Sequence, residues 1–154
     1  MKQILFFLLS FSLGIMACSS VKNVNSSVVK QGITGLITEV TGNQMPMKGA
    51  KPSVPKGILT TVYLFEPTNI TQVNSVGNSS LYTAVNTKLV ASVKTDSTGA
   101  FIIALPVGSY SIFVQQGKGY YANLFDTNNN IALFTVEEDK LTTVKLTISL
   151  KATY

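Results

Sequence analysis

The chain has 154 residues, 12 of them basic and 7 acidic, and a formal net charge of +5. All basic residues are Lys, so the sequence offers no imidazole base, no His-ligated metal and no bidentate guanidinium for phosphate or guanine. The single Cys excludes an intrachain disulfide and a thiolate zinc site. The length indicates one domain, and nucleic acid is not an expected partner.

The N-terminal segment has the organisation of an export signal. Lys2 precedes an uncharged apolar run over residues 4–16, which is too short for a membrane-spanning helix of about 20 residues. The run ends in Ile15-Met16-Ala17-Cys18, which resembles a bacterial lipobox. The resemblance implies that residues 1–17 are a signal peptide and that the Cys18 thiol receives a diacylglyceryl group. An ordinary signal peptide with an unrelated Cys is the alternative, but the only Cys lies at the position that a lipobox requires.

The residues after the lipobox indicate a tether. Residues 18–31 comprise the lipidated Cys and a polar, flexible linker without periodicity. Ser19 stands where enterobacterial lipoproteins retained in the inner membrane have Asp. Residues 19–23 also lack the acidic cluster that resembles a surface-export signal in Bacteroidetes. We therefore expect an outer-membrane lipoprotein that faces the periplasm, with surface exposure as the alternative.

From residue 32 onward the hydrophobic pattern has period two, which is typical of strands. Strands are predicted over residues 33–40, 58–66, 87–94, 100–105, 110–115, 120–125, 131–137 and 142–151. In residues 110–115 the alternation predicts that Tyr110, Ile112 and Val114 point inward. Turn residues separate these runs, so the sequence predicts an all-β sandwich of about seven strands. Residues 42–57 and 68–80 are predicted long loops, either functional or variable insertions.

Two short runs carry a family resemblance. The run T-D-S-T-G-A-F at residues 95–101 and the run L-P-V-G-S-Y at residues 105–110 resemble the signature of the carboxypeptidase regulatory-like domain family. The opening G-I-T-G at residues 32–35 is similar to the first strand of that family. The resemblance implies a transthyretin-like (prealbumin-like), immunoglobulin-like β-sandwich over residues 32–154, of a class grouped with carbohydrate-binding-like folds. Three further stretches resemble small Bacteroidetes envelope lipoproteins: residues 42–46, 121–126 and 151–154.

The residues of this signature have a structural interpretation. Asp96 and Gly99 are expected to form a hairpin turn, and Phe101 and Tyr110 to point into the core. Pro106 and Gly108 are expected to reverse the chain between adjacent strands. The signature is therefore interpreted as a marker of the fold and not as a catalytic site.

Two candidate sites remain outside the signature. One group of residues is a hypothetical sugar-binding platform: Tyr120, Tyr121, Asn123, Phe125 and Asp126. Aromatic residues on a strand are, however, also typical of a hydrophobic core. Separately, the run Asp96-Ser97-Thr98 resembles a short O-glycosylation acceptor, with Ser97 as the modified residue.

Two groups of acidic residues are candidates, one for metal binding and one for catalysis. Asp126, Asn128 and Asn130 have the spacing of a calcium loop, with Glu137 at position 12. Ile131 replaces the required Gly, so an Asn-rich turn is the better interpretation. Glu39 and Glu66 border the long loops and are the one carboxylate pair whose sequence positions allow them to face each other. Charged caps at strand edges are the alternative interpretation.

The sequence therefore predicts a non-catalytic, lipid-anchored β-sandwich of the cell envelope without metal or cofactor. An accessory or structural role in an envelope complex is the leading hypothesis. The alternative is a module that binds carbohydrate or peptide through its loops. The expected partners are the membrane, through the lipid, and either envelope proteins or a glycan.

Overall fold

The computed structural model describes residues 29–45, 49 and 53–154. The predicted signal peptide, Cys18 and most of the predicted linker lie outside these residues. The described part contains one 3-10 turn, Ile70–Gln72, and eleven strands. They are β1 (Gly32–Asn43), β2 (Lys56–Gly57), β3 (Thr61–Phe65), β4 (Val73–Ser75), β5 (Leu81–Val85), β6 (Leu89–Lys94), β7 (Ala100–Ala104), β8 (Gly108–Gln116), β9 (Gly119–Tyr121), β10 (Leu133–Val136) and β11 (Leu141–Thr153).

The strands form two sheets that pack as a sandwich, which confirms the predicted all-β fold. In the first sheet β1 lies between β11, to which it is parallel, and the antiparallel strands β2 and β7. The second sheet has the order β4-β5-β9-β8-β3-β6, and β10 pairs with the first half of β8. No helix among the described residues has the length and apolar character needed to cross a membrane.

The predicted loop over residues 68–80 contains regular structure. Asn69 caps the 3-10 turn in a capping box with Gln72, and β4 pairs with β5 to extend the second sheet. Val73 is the buried residue of β4, and a strand of three residues is too short for period-two alternation to be recognised. In the other predicted loop, β1 extends to Asn43 and β2 adds a two-residue strand.

The core between the sheets follows the period-two alternation on β7 and in the central part of β11. Ile33 and Ile37 of β1 are buried, as are Val144, Leu146 and Ile148 of β11. Gly35 lies between the two isoleucines and pairs with Phe101 of β7. A Cβ atom at Gly35 would lie 2.8 Å from a ring carbon of Phe101. The glycine thus provides the space that the Phe101 ring occupies.

The residues of β8 that were predicted to point inward are buried, but the predicted outward face is wrong, because this strand is buried on both faces. Residues 110–114 are all buried, including Ser111 and Phe113, which were expected to face outward. The Phe113 ring makes edge contacts with Phe65 at 5.5 Å and with Tyr82 at 5.7 Å between centroids. Neighbouring strands of the same sheet therefore cover the second face of β8 with aromatic rings.

Ser111 is buried for a different reason. Its hydroxyl oxygen accepts a hydrogen bond from the backbone N–H of Thr68 at 2.9 Å. A buried hydroxyl with a partner avoids the free-energy cost of an unsatisfied polar group. The same bond fixes the segment that enters the 3-10 turn against the centre of the second sheet.

The two turns of the family signature each connect strands of different sheets. The hairpin turn expected at Asp96 and Gly99 and the reversal between adjacent strands expected at Pro106 and Gly108 are therefore wrong. β6 belongs to the second sheet and β7 to the first, so residues 95–99 cross from one sheet to the other. Residues 105–107 cross back between β7 and β8. The Tyr110 hydroxyl donates a hydrogen bond to the Pro106 carbonyl at 3.0 Å and closes this second crossing.

Gln31, the last residue of the predicted linker, is attached to the folded domain. Its side-chain amide donates to the Leu105 carbonyl at 2.8 Å. Its side-chain carbonyl accepts from the backbone N–H of Asp139 at 3.1 Å. The side chain thus joins the second crossing to the turn before β11.

We predict that Phe101→Ala and Tyr110→Ala each lower the free energy of unfolding by about 3–5 kcal/mol, the usual range for buried aromatic residues. Phe101 is 5% exposed and Tyr110 8% exposed. Each substitution would leave a cavity between the sheets. Urea unfolding at neutral pH of protein produced without residues 1–18 measures the change.

Two control variants separate the loss of a buried ring from a general sensitivity of these strands to substitution. Ile102, next to Phe101 on the same strand, is 47% exposed, so Ile102→Ala should change the unfolding free energy by less than about 1 kcal/mol. Tyr110→Phe removes only the bond to Pro106 and should lower it by about 0.5–1.5 kcal/mol. A loss below about 1 kcal/mol for Phe101→Ala would contradict the packing described here.

Candidate functional site

The structure separates the five residues predicted as a sugar-binding platform. Tyr121 is 1% exposed, and its hydroxyl donates to the Thr147 carbonyl at 3.3 Å. The Tyr120 ring is half-buried and makes edge contacts with Tyr63 at 5.3 Å and Phe65 at 5.7 Å between centroids. The buried Tyr121 cannot take part in a surface platform, and the half-buried Tyr120 packs against the aromatic residues of its own sheet. The alternative interpretation of these two residues, as core, agrees with the structure.

The other three residues of the predicted platform lie on the surface. Asn123, Phe125 and Asp126 are exposed in the connection between β9 and β10. Phe125 is 50% exposed, although its backbone is held in an antiparallel bridge with Ile131. The ring is thus an apolar group on an ordered backbone, available to solvent.

Asp126 has a structural role next to this ring. Its carboxylate accepts hydrogen bonds at 2.8 Å from the backbone N–H groups of Asn128 and Asn130 and from the Asn130 side chain. The bond from the Asn130 side chain is the main reason that the pKa of Asp126 is lowered from its ordinary value. The residues interpreted as an Asn-rich turn therefore form one, closed by the Asp126 carboxylate.

The hypothetical calcium loop is not assembled. The Glu137 carboxylate binds the Lys140 ammonium group, and this contact lowers the pKa of Glu137. Among the residues that the structure describes, no group of three or more acidic, His or Cys side chains could hold a metal ion.

The 124–132 connection is joined to the segment at residues 68–70. The Ile131 N–H donates to the Thr68 carbonyl at 2.8 Å, and the Ile70 N–H donates to the Asn129 carbonyl at 3.0 Å. The Asn69 side chain donates to the Asn128 carbonyl at 2.7 Å. These bonds bring the 3-10 turn and the following β4–β5 hairpin to the side of Phe125.

A cleft lies between Phe125 and the β4–β5 hairpin, and we call it the Phe125 cleft. Its volume is about 310 Å³, at the lower end of the range for small-molecule sites. Its walls include Ile70, Ser75, Asn78, Ser80, Tyr82 and Phe125. Phe125 also lines a smaller groove of about 170 Å³, together with Leu124 and Phe134.

The walls of the Phe125 cleft are uncharged. None of the residues that line it is Asp, Glu or Lys. Burial raises the pKa of the Tyr82 hydroxyl, which therefore stays neutral. Sequence reasoning did not identify Ser75, Asn78 and Ser80, and the only sequence signal for them is the Asn- and Ser-rich composition of residues 68–80.

Ser97, the candidate O-glycosylation residue, lies exposed in the crossing turn between β6 and β7. Asp96 closes this turn: its carboxylate accepts from the Thr98 hydroxyl at 2.6 Å and from the Thr98 N–H at 2.8 Å. The bond from the Thr98 hydroxyl is the main reason that the pKa of Asp96 is lowered. Modification of Ser97 stays a prediction.

Glu39 and Glu66 do not form a pair. Glu39 lies on β1 in the first sheet, opposite Lys56, and its carboxylate is 3.1 Å from the Lys151 ammonium group. Glu66 follows β3 in the second sheet, and its N–H donates to the Lys88 carbonyl. Glu39 thus lies on a strand that is paired on both sides, and Glu66 follows a strand that lies between β6 and β8. Neither glutamate is on an edge strand, so the interpretation as charged strand edges is wrong.

Comparison with known proteins finds no matching family model, no matching curated protein and no matching solved structure. The functional interpretation therefore depends on the contacts, exposures and charges of the described residues.

We predict that the two Asp-closed turns make the fold sensitive to acid. A carboxyl whose pKa is lower in the folded state than in the unfolded state binds its proton more weakly when folded. Its contribution is present above the unfolded pKa of about 3.9 and is lost as the pH falls through the lowered folded pKa. The free energy of unfolding should therefore decrease from about pH 4 towards pH 2.

The Asp96→Asn/Asp126→Asn variant should have a lower unfolding free energy than the parent at neutral pH and a shallower decrease below about pH 4. Asn keeps an acceptor oxygen in each turn but cannot titrate. Asp139→Asn is the matched control, because Asn tolerates the left-handed backbone of that residue (φ 53°). Urea unfolding at several pH values decides this, and equal slopes in the double variant and the parent would contradict it.

Proposed function

We propose that the protein is a non-catalytic, lipid-anchored protein of the cell envelope that serves as an accessory or structural module of an envelope complex. The observation that carries this proposal is that four of the seven carboxylates already bind groups of the protein itself. Those of Asp96 and Asp126 close turns, and those of Glu39 and Glu137 bind lysines. A glycosidase instead needs two carboxyl groups across a cleft, one of them with a raised pKa.

Membership of the carboxypeptidase regulatory-like family, with its transthyretin-like topology, is part of the proposal. The signature residues have structural roles that support it. Asp96 closes the first crossing turn, and Phe101 and Tyr110 are buried on the strands that flank the second. These are the roles that a fold signature requires and that a catalytic motif does not.

The lipid anchor at Cys18 is proposed from the lipobox, since this residue lies outside the described part. Each buried methylene contributes about 0.8 kcal/mol, so two or more acyl chains hold a protein stably at a membrane. The attachment of Gln31 to the domain supports a tether formed by the residues between Cys18 and this point. The proposed location is the periplasmic face of the outer membrane.

A second candidate function is the binding of carbohydrate or peptide. The Phe125 cleft favours it, because an exposed aromatic ring faces hydroxyl and amide groups across a concave surface. Small-molecule sites combine apolar walls with a few polar groups in this way. An accessory module and a binding module are compatible in one envelope protein.

We predict that Cys18→Ser releases the protein from membranes. The thiol is the acceptor of the lipid, and Ser has no thiol. Cells grown with labelled palmitate and then fractionated should show label and membrane association for the wild type only. A labelled variant, or a wild type found in the soluble periplasmic fraction, would contradict the proposed anchor.

We also predict that the protein hydrolyses no peptide, ester or glycoside. The expected result is no turnover of a chromogenic substrate panel, with or without calcium, because hydrolysis needs a positioned base or a metal-bound water. The Glu39→Gln/Glu66→Gln variant is the control for contamination. Activity that is present in the wild type and absent from this variant would overturn the non-catalytic proposal.

A further inference from the structure

Phe125 is an exposed aromatic residue whose position is fixed by its neighbours. The backbone around it is paired twice, since the Ala132 N–H donates to the Leu124 carbonyl at 2.8 Å and the Asp126 N–H donates to the Asn130 carbonyl at 3.1 Å. The Asp126 carboxylate then closes the turn. An ordered backbone that presents an apolar ring to solvent loses little conformational entropy when a ligand contacts the ring.

The opposite wall of the Phe125 cleft supplies polar groups that have no protein partner. In the described part of the chain, the side chains of Ser75, Asn78 and Ser80 make no hydrogen bond. The hairpin that carries them is itself held: the Val76 N–H donates to the Leu81 carbonyl at 2.8 Å, and the Ser79 hydroxyl donates to the Val76 carbonyl at 2.6 Å. Two hydroxyls and one amide on an ordered hairpin thus line the same cleft as the Phe125 ring.

The charge of the cleft restricts the ligand. A phosphate, a carboxylate or an acidic glycan is normally bound by Lys, Arg or a helix N-terminus, and the walls contain no charged residue. A purely apolar ligand would leave the hydroxyls and the amide without partners, at a cost in free energy. The complementary chemistry is an uncharged ring with an apolar face and several hydroxyl groups.

We propose that the Phe125 cleft binds a neutral saccharide. The Phe125 ring stacks on the apolar C–H face of a pyranose, while Ser75, Asn78 and Ser80 bond its hydroxyl groups. This inference deepens the second candidate function and rests on it. It assigns binding to residues on two segments, 75–80 and 125, and removes Tyr120 and Tyr121 from the site.

The test uses the full-length protein purified in an amine-oxide detergent, which carries no sugar headgroup. Saturation-transfer NMR measures binding of neutral gluco-, manno-, galacto- and xylo-oligosaccharides and of an N-acetylglucosamine oligomer. Oligogalacturonate, a sulfated oligosaccharide and uncharged and charged pentapeptides are the other probes. The proposal expects at least one neutral saccharide to bind and the charged probes not to bind.

Substitutions at and beside the walls of the Phe125 cleft test whether the saccharide binds there. Phe125→Ala should raise the Kd by about tenfold or more, which corresponds to about 1.4 kcal/mol, and Asn78→Ala should raise it in the same direction. Phe125→Tyr keeps the ring and should bind as the wild type does. Leu124→Ala is the matched control, because Leu124 is 41% exposed beside Phe125 but does not line the cleft.

Each other outcome overturns the inference in a distinguishable way. Neutral-saccharide binding that survives Phe125→Ala, with a folded variant by circular dichroism, would remove the site. Binding of only an acidic glycan or a peptide, lost in Phe125→Ala, would overturn the neutral saccharide and keep the binding function. Binding of none of the probes would overturn both and leave the accessory role.

Discussion

The crossing at residues 95–99 is the constraint on which both sheets depend. The buried Thr95 hydroxyl donates to the Ile58 carbonyl and accepts from the Thr60 N–H, both at 2.7 Å, which ties the crossing to the start of β3. At its other end the Ile37 N–H donates to the Gly99 carbonyl at 2.8 Å, which ties it to β1. This turn therefore ties the start of β3 in the second sheet to β1 in the first sheet.

Gly99 is required at this crossing for two physical reasons. Its φ of 84° lies in the region that residues with a Cβ atom rarely adopt. A Cβ atom there would also lie 2.1 Å from the Ile37 carbonyl oxygen. The backbone of the crossing thus touches the backbone of β1 directly, just beyond the last residue pair of β1 and β7, Leu36 with Ala100.

Sequence periodicity predicted the strands that are buried on one face and misread those that are buried on two. On β7 and in the central part of β11, buried apolar residues such as Phe101, Val144 and Leu146 alternate with more exposed neighbours, so the period is visible. On β8 consecutive residues are buried on opposite faces of the strand, and the Phe113 ring, for example, packs against Phe65. On β9 the half-buried Tyr120 is followed by the buried Tyr121, whose hydroxyl bonds to the Thr147 carbonyl. Alternation cannot indicate a second buried face when both faces carry apolar residues.

The candidate site could be predicted only in part, for a related reason. Phe125 and Asp126 stand in a recognisable turn, whereas Ser75, Asn78 and Ser80 come near them only through long-range pairing. That pairing is the register of β5 with β9, Leu81 to Tyr121, together with the bonds of residues 68–70 to the 124–132 connection. Neither the register nor these bonds leave a local pattern in the sequence.

The packing of the aromatic residues in the second sheet explains why the Phe125 ring, outside that packing, is available for a ligand. Phe65, Tyr82, Phe113 and Tyr120 contact one another edge to face, so their rings are occupied by mutual packing. β9 ends at Tyr121, and the chain then leaves the edge of β8 before β10 resumes pairing with it. The departure carries Phe125 out of the cluster, and the Asp126 turn keeps it there. The same loop geometry that completes the sheet therefore produces an exposed ring beside a polar hairpin, and binding at this place needs no rearrangement of the core.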